Sequence, residues 1–427
     1  MKTSKKGFLI FMGLILALLA SIHFVNTSYK KAQIVKTVRG NDALLNEQNL
    51  LILDSNILSY PEEDEYMDQR LARTNTYLLS TSNSTPLTPK RENGKLVFAD
   101  KKTTYEPKTS VTLGLKVYYK YIKNRGFVKI HFQDYKGNNY SAISDNKDIV
   151  ASAKTEDLNI YRIEKYKGQY QCAFSYYNNE KKSYMLAFAS IEDDKFTLVG
   201  ESQDKGLTIL GENRDSIQYR WARYAIVAFD KMFVFDYSDE SGNFRPSTLS
   251  FDFKDHKISR HYFAKDDPLY DVFNRDPRDN IRTELGIYIK YLEDKNQIVR
   301  VCNPTNSKNF HAYIIELKDG RLVAKEDIDL GIRVSPYSKK VQDKGDQFVF
   351  DANWEANIFL NGDKLIFSMS NNGNLMDKKH YQYGMNLNPL KKIYIYGLDT
   401  KRIDYEGILM GAVSNQVNEI YATTKSR

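Results

Sequence analysis

Two series of short turns recur along this chain at nearly fixed separations. Turns rich in Asp, Asn and Gly fall near positions 168, 230, 294 and 363, at spacings of 62, 64 and 69 residues. A second series falls near 194, 255, 319 and 399. The two turns of a unit lie 26, 25 and 25 residues apart in the first three units and 36 apart in the fourth, which carries an insertion at residues 371–386. Runs rich in Val, Ile, Phe, Tyr and Thr flank each turn, the composition that suits a pleated, half-buried surface. The spacing predicts strands at 158–165, 169–176, 184–190 and 196–200 in the first unit. It predicts 222–229, 232–236, 247–253 and 257–260 in the second, 286–293, 297–302, 310–317 and 321–324 in the third, and 356–360, 365–368, 392–398 and 402–405 in the fourth.

Four antiparallel strands repeated at this period describe one blade of a β-propeller, a sheet that buries both faces only by stacking against its neighbours. An irregular blade is expected upstream, with strands at 111–122 and 127–132. The expected fold is all-β, a propeller of about six four-stranded blades. Its units lie near 110–155, 156–205, 218–264, 284–332 and 350–408, with a closing strand at 417–422 that pairs with the 50–105 region. The alternative is a pair of β-sandwich domains, which accounts for the strands but not for the constant offsets. The resemblance to β-propeller proteins covers roughly residues 110–425 and rests on period and strand count. No WD series, kelch double glycine, YWTD run or calcium-binding nonapeptide accompanies it, so it implies no activity.

Composition agrees. Hydrophobic residues make up 41% of 427 and charged residues 27%, which excludes a mainly disordered chain. Two cysteines exclude a disulfide scaffold and a Cys-rich metal module. Cys172 and Cys302 read as buried free thiols, with a disulfide between units as the alternative.

The address lies at the N-terminus. Residues 7–25, from Gly7 to Val25, contain no acidic or strongly basic side chain and follow Lys2, Lys5 and Lys6. Nineteen helical residues span about 28 Å, close to the hydrocarbon thickness of a bilayer. A transmembrane signal anchor is expected at 7–25, after a cytoplasmic stretch at 1–6 and before a stalk at 26–48. The extracytoplasmic propeller would occupy 49–427. Secretion after signal cleavage is the alternative. Residues 61–73 read as a helix, with Pro61 first and acidic residues in its first turn. The net charge of +8 is spread without a block of like charge, which fits a surface near anionic lipids or polymers and not a nucleic-acid binder.

Motifs for chemistry are absent: no GxSxG, HExxH, P-loop or GxGxxG at a strand–helix junction occurs. His256 and His261 flank a short strand on opposite faces, which argues against a shared metal. No cofactor or metal is expected. The acidic segment from Asp266, Asp267 and Asp271 to Asp276 and Asp279 reads as a solvated inter-blade loop. Its other reading is a pair of glycosidase carboxylates. Residues 236–243 lack the alternation and final Glu of a calcium loop. The candidate ligand-binding residues are Arg220, Trp221, Arg223 and Tyr224, which lead into the inner strand of one blade, and Trp354, which leads into that of another. Arg and Trp together suit an anionic or sugar-like ligand; packing between blades is the alternative. The expected function is a membrane-anchored binding or assembly module, with a protein complex or an anionic envelope polymer as partner. A ligand-sensing accessory subunit and an exported glycan hydrolase are the alternatives.

Overall fold

The tight turns set the frame. In the computed structural model Lys167 and Gly168 take φ of 46° and 91°, Asp193 and Asp194 47° and 59°, Phe229 and Asp230 53° and 59°, and Asp319 and Gly320 49° and 75°. Two consecutive left-handed residues make a type I′ hairpin turn, whose twist matches the strands it joins. Gly and Asp tolerate that region; a Phe does not. The Phe229 ring is held there between Phe233 and Tyr291, at centroid distances of 6.4 and 4.9 Å.

The structure describes residues 34–55, 74–82, 84–92, 95–108, 117–122, 125–133, 139–204, 224–237, 245–273, 288–304, 307–333, 347–349, 354–371, 375–377, 391–410 and 419–426. The chain begins with β1 (Ile34–Gly40), α1 (Asp42–Glu47), β2 (Leu50–Ser55), β3 (Thr74–Leu78), β4 (Thr85–Glu92), β5 (Lys95–Ala99) and β6 (Thr104–Pro107). Next come β7 (Val117–Ile122), β8 (Phe127–Gln133), β9 (Asn139–Ser144) and α2 (Lys147–Lys154). The first full unit is β10 (Asn159–Tyr166), β11 (Gln169–Asn178), β12 (Ser183–Glu192) and β13 (Lys195–Gln203). The second is β14 (Tyr224–Ala228), β15 (Lys231–Tyr237), β16 (Pro246–Asp252) and β17 (Ile258–Tyr262). After α3 (Pro268–Phe273) the third is β18 (Tyr288–Leu292), β19 (Gln297–Cys302), β20 (Asn309–Lys318) and β21 (Arg321–Arg333). The last stretch holds β22 (Gln347–Val349), β23 (Trp354–Asn361), β24 (Lys364–Asn371), β25 (Leu375–Asp377), β26 (Lys391–Gly397), β27 (Arg402–Met410) and β28 (Glu419–Ser426).

The strands pair as consecutive antiparallel meanders: β10–β13, β14–β17, β18–β21, and β23, β24, β26 and β27. β22 and β25 form a separate two-stranded pair, the latter within the insertion of the fourth unit. Each of the four meanders is packed on both faces, with alternation at period two. On β12, Met185, Ala187 and Ala189 join a core with Ile149 and Phe132, while Leu186 and Phe188 join Val234 and Phe251 of the next sheet. On β15, Met232 and Val234 face back, and Phe233 and Phe235 face forward to Ile298 and Tyr313. On β24, Leu365, Phe367 and Met369 face β19 and β20, and Ile366 faces Val35 and Ile52. A sandwich sheet would leave one face to solvent. Cores between each successive pair, with β10, β14, β18 and β23 lying side by side, define a β-propeller.

Two elements depart from the sequence expectation. Residues 26–48 read as a stalk, yet from Ile34 on they belong to the propeller. β1 pairs with β27 from Ile34–Met410 to Gly40–Tyr405 as a fifth, outer strand. Edge strands bury little, and here only Val35 is buried, so no periodicity betrays it. In the unit near 110–155, β7–β9 are followed by α2 and not by a fourth strand. The helix is capped by Asn146, whose side chain accepts from the Asp148 and Ile149 amides. It packs Ile149, Val150 and Ala153 against the next sheet. β9 touches β13 through Lys195 and Ile143.

The last described strand meets strands from near the start of the described chain. β2, β28, β6, β5, β4 and β3 form a closed ring. Leu50 to Leu53 pair with Ala422 to Glu419, and Thr104 to Pro107 pair with Ser426 to Thr423. β28, at Glu419–Ser426, thus pairs with β2 and β6. The proposed anchor at 7–25 and the helix at 61–73 lie outside the described residues. Among the described residues no helix is long and apolar enough to cross a membrane.

Candidate functional site

Strand direction divides the four full blades into two ends. One end carries both series of tight turns. Neighbouring blades touch there turn to turn: the Tyr166 hydroxyl donates to Asp230, and Lys295 lies 3.6 Å from Asp399. The opposite end, the loop face, carries the starts of β14, β18 and β23, the connections between blades and the loops joining second and third strands. Long loops placed by a rigid scaffold are where binding sites concentrate.

Two of the sequence candidates have described backbones, and both lie at this end. Tyr224 opens β14 opposite Phe235, and Trp354 opens β23 opposite Asn371, with β18 between the two inner strands. Arg220, Trp221 and Arg223 lie outside the described residues, as do the side chains of Tyr224 and Trp354. The backbones of Tyr224 and Trp354 share a face; the ligand reading stays a proposal.

Around them, each blade ends in a polar cluster. In the first, the Tyr176 hydroxyl donates to Glu201, which also accepts from Lys181 at 2.5 Å. Burial, then the Glu201 contact, pushes the Tyr176 phenol well above its ordinary range. In the second, Asp236, only 2% exposed, is paired with Arg260 at 2.9 Å, and Ser247 accepts from the same guanidinium at 3.3 Å. The residue that opens the calcium-like stretch 236–243 is therefore engaged in an ion pair. In the fourth, Lys392 meets Glu406 at 2.7 Å.

The third blade carries a chain of hydrogen bonds that no sequence motif announces. His311 Nδ1 lies 2.7 Å from Asp327 Oδ1, and its Nε2 lies 3.0 Å from Ser307 Oγ. Beside it, Asn309 donates to both oxygens of Asp329, at 3.0 and 3.1 Å. Burial pushes the Asp329 carboxyl up, but the Gly331 amide and Asn309 outweigh it and leave it below the usual carboxylate range. Ser307, His311 and Asp327 sit 4 and 16 positions apart in sequence, a spacing with no local signature. Only pairing of β20 with β21 brings them together.

The acidic insertion differs from its sequence reading. Residues 268–273 are helical, and Leu269, Val272 and Phe273 are buried between the second and third blades. Asp267 Oδ1 accepts from the Leu269 amide at 2.8 Å. The fully buried Arg300 donates to the Val272 carbonyl at 3.2 Å and lies 4.8 Å from the Phe273 ring centre. The segment is thus pinned to the core by apolar side chains at helical spacing, with acidic residues on its outer side. Asp276 and Asp279 lie outside the described residues.

Among the described residues no group of three His, Cys, Asp or Glu could hold a metal ion. His256 stacks against Phe251 and His261 against Phe263, separately. Burial, then the Arg321 charge, holds the His261 imidazole below its ordinary value. Cys172 and Cys302 are free, buried thiols in different inter-blade cores. On the turn face, an open pocket of about 460 Å³ is lined by Arg39, Lys364, Arg402 and Asp404 among others, and both Lys364 and Arg402 pair with Asp404.

No protein-family model matches the chain, and no curated protein matches it. Among solved structures, a protein from Lactobacillus plantarum is 8% identical with a TM-score of 0.34, over 88% of this chain and 99% of that one. The β-propeller domain of the Trilobed protease from Pyrococcus furiosus is 11% identical with a TM-score of 0.29, over 86% and 83%. A GH43 endo-arabinanase from Bacillus licheniformis is 9% identical with a TM-score of 0.27, over 73% and 93%. At these scores the likenesses carry no functional inference. The propeller rests on this chain's own topology.

Proposed function

We propose that this protein is a membrane-tethered, extracytoplasmic propeller that binds or assembles a membrane protein complex through its loop face. The observation that carries the reading is the direction of β1. It starts beside Met410, at the loop-face end of β27, and runs toward the tight turns. The chain before Ile34 therefore leaves from the loop face. If residues 7–25 are the anchor, only residues 26–33 intervene, and eight residues reach at most about 28 Å. A tether that short turns the long loops toward the bilayer, where membrane proteins are the accessible partners. Small-ligand binding at Trp221 and Trp354 is compatible with the same face.

Photo-crosslinking in the native membrane tests this. Cross-linkers replacing Lys182 or Lys308, exposed on the loop face, should trap a discrete membrane-protein partner. Cross-linkers replacing Lys254 or Asp319, exposed on the turn face, should not. Capture from the turn face alone, or from neither, contradicts the reading.

A further inference from the structure

The Ser307–His311–Asp327 chain has the connectivity of a nucleophilic relay. The Asn309 amide donates to Ser307 Oγ at 3.0 Å. The Asp327 carboxylate only accepts, so the hydrogen of a neutral His311 imidazole sits on Nδ1, facing Asp327 Oδ1 at 2.7 Å. Nε2 is then left as the acceptor facing Ser307 Oγ at 3.0 Å. The carboxylate thus fixes the tautomer, the imidazole is aimed at the hydroxyl, and the hydroxyl is aimed at the imidazole. The geometry is held from outside the relay as well. Asn303 Nδ2 donates to the carbonyls of Ser307 and Asn309, both at 2.8 Å, and the Ser307 amide donates to Pro304 at 3.0 Å. The Tyr313 ring stacks near the imidazole at 6.1 Å. Ser307 is partly exposed, on the face that carries the long loops, so a substrate can reach it.

We infer that Ser307 is a nucleophile for acyl transfer from carboxylic esters, with His311 as its general base and Asp327 as the residue that positions His311. Ser307 Oγ attacks the ester carbonyl carbon as its proton passes to His311 Nε2. The ester C–O bond breaks and His311 returns the proton to the departing alkoxide, releasing the alcohol and leaving the acyl group on Ser307. Water then attacks the acyl carbon, His311 takes its proton, and the carboxylic acid leaves as the proton returns to Ser307 Oγ. Ester and water become acid and alcohol, with no other reactant. This activity stands apart from partner binding and would survive failure of that reading.

A phosphonyl fluoride tests the nucleophile without knowledge of the natural ester. It forms an Oγ–P bond and expels fluoride, and only an activated serine reacts quickly. The full-length folded protein should be labelled at Ser307, located by peptide mass spectrometry, and urea-unfolded protein should not. H311Q should slow labelling by about 100-fold or more, since general-base assistance is worth at least that. D327N should slow it too, while leaving the circular dichroism spectrum unchanged. Hydrolysis of p-nitrophenyl acetate should show a burst of one equivalent that S307A abolishes. Labelling at other residues only, or equal rates in folded and unfolded protein, overturns the inference. So does an unchanged rate in a folded H311Q, which would make the hydrogen bonds a clamp on the loop and nothing more.

Discussion

Val35 on β1 lies opposite Leu409 on β27, 374 residues away in the chain, and both side chains are buried. The pair joins the first described strand to the last full blade. Val35 sits in the same core as Ile52, Ile366, Ile393 and Ala422, so one cluster holds the N-terminal strand, the closing ring and the fourth blade. Val35→Asp would place a charge in that core and should release β1, seen as rapid proteolysis within residues 34–40. Val35→Ala should cost about 2 kcal/mol in urea unfolding, from lost burial and a residual cavity.

Gly407 is the reason β1 can approach so closely. A Cβ there would lie 2.5 Å from Val35 Cγ1 and 2.7 Å from the Tyr405 hydroxyl. Gly407→Ala should therefore destabilise by about 1–3 kcal/mol, the usual cost of overpacking. Because one clash is with Val35 itself, adding Val35→Ala should cost less in the Gly407→Ala background than in the wild type. A double-mutant cycle measures that coupling. Strict additivity would mean that the two residues do not meet.

The ion pair of Asp236 and Arg260 lies nearly out of solvent. Arg260→Met keeps the bulk and removes the charge. It should destabilise by about 3 kcal/mol, because a buried carboxylate loses its cation. Asp236→Asn with Arg260→Met should recover much of that loss. Chemical denaturation of the three variants decides it.

Acid should weaken the turn face. The Lys231 ammonium, hydrogen-bonded to Asp252, holds that carboxyl below its ordinary value of 3.8. Burial pushes the Asp404 carboxyl up, but hydrogen bonds from Lys364 and Arg402 outweigh it and leave it below 3.8 too. Both groups bind protons more weakly folded than unfolded. Their stabilisation is complete above the unfolded value of 3.8 and is lost as pH falls through the lower folded values. Unfolding midpoints of the wild type should fall below about pH 4, and Lys231→Met with Lys364→Met should flatten that dependence.

The four full blades were legible because their turns are local chemistry. Asp and Gly at paired left-handed positions mark type I′ turns whatever surrounds them. The strand β1 was not legible, because an edge strand with one buried Val35 among Lys36, Thr37 and Arg39 carries no period. The helix α3 hid behind its charges: Leu269, Val272 and Phe273 lie at helical spacing, but the run is one turn long and flanked by aspartates. The Ser307 chain depends on the register between β20 and β21. That register sets His311 opposite Asp329 and puts Asp327 diagonally across from it, opposite Tyr313, and it shifts between Asn309 and His311 and again between Ile314 and Ile315, so no count along the sequence brings His311 to Asp327. Of the residues singled out near 220 and 354, Tyr224 and Trp354 are placed only as the ends of their strands, and Arg220, Trp221 and Arg223 lie outside the described residues.

The orientation of the propeller on its tether is the most direct test of the account. Cys172 and Cys302 are buried and, while the protein is folded, leave a cysteine introduced at Lys308 or Lys254 as the accessible thiol. Full-length protein carrying a fluorophore at either site would be reconstituted in bilayers with a headgroup-bound quencher. The account predicts strong quenching at Lys308, on the loop face, and weak quenching at Lys254, on the turn face. Equal quenching at both sites, or stronger quenching at Lys254, would contradict it.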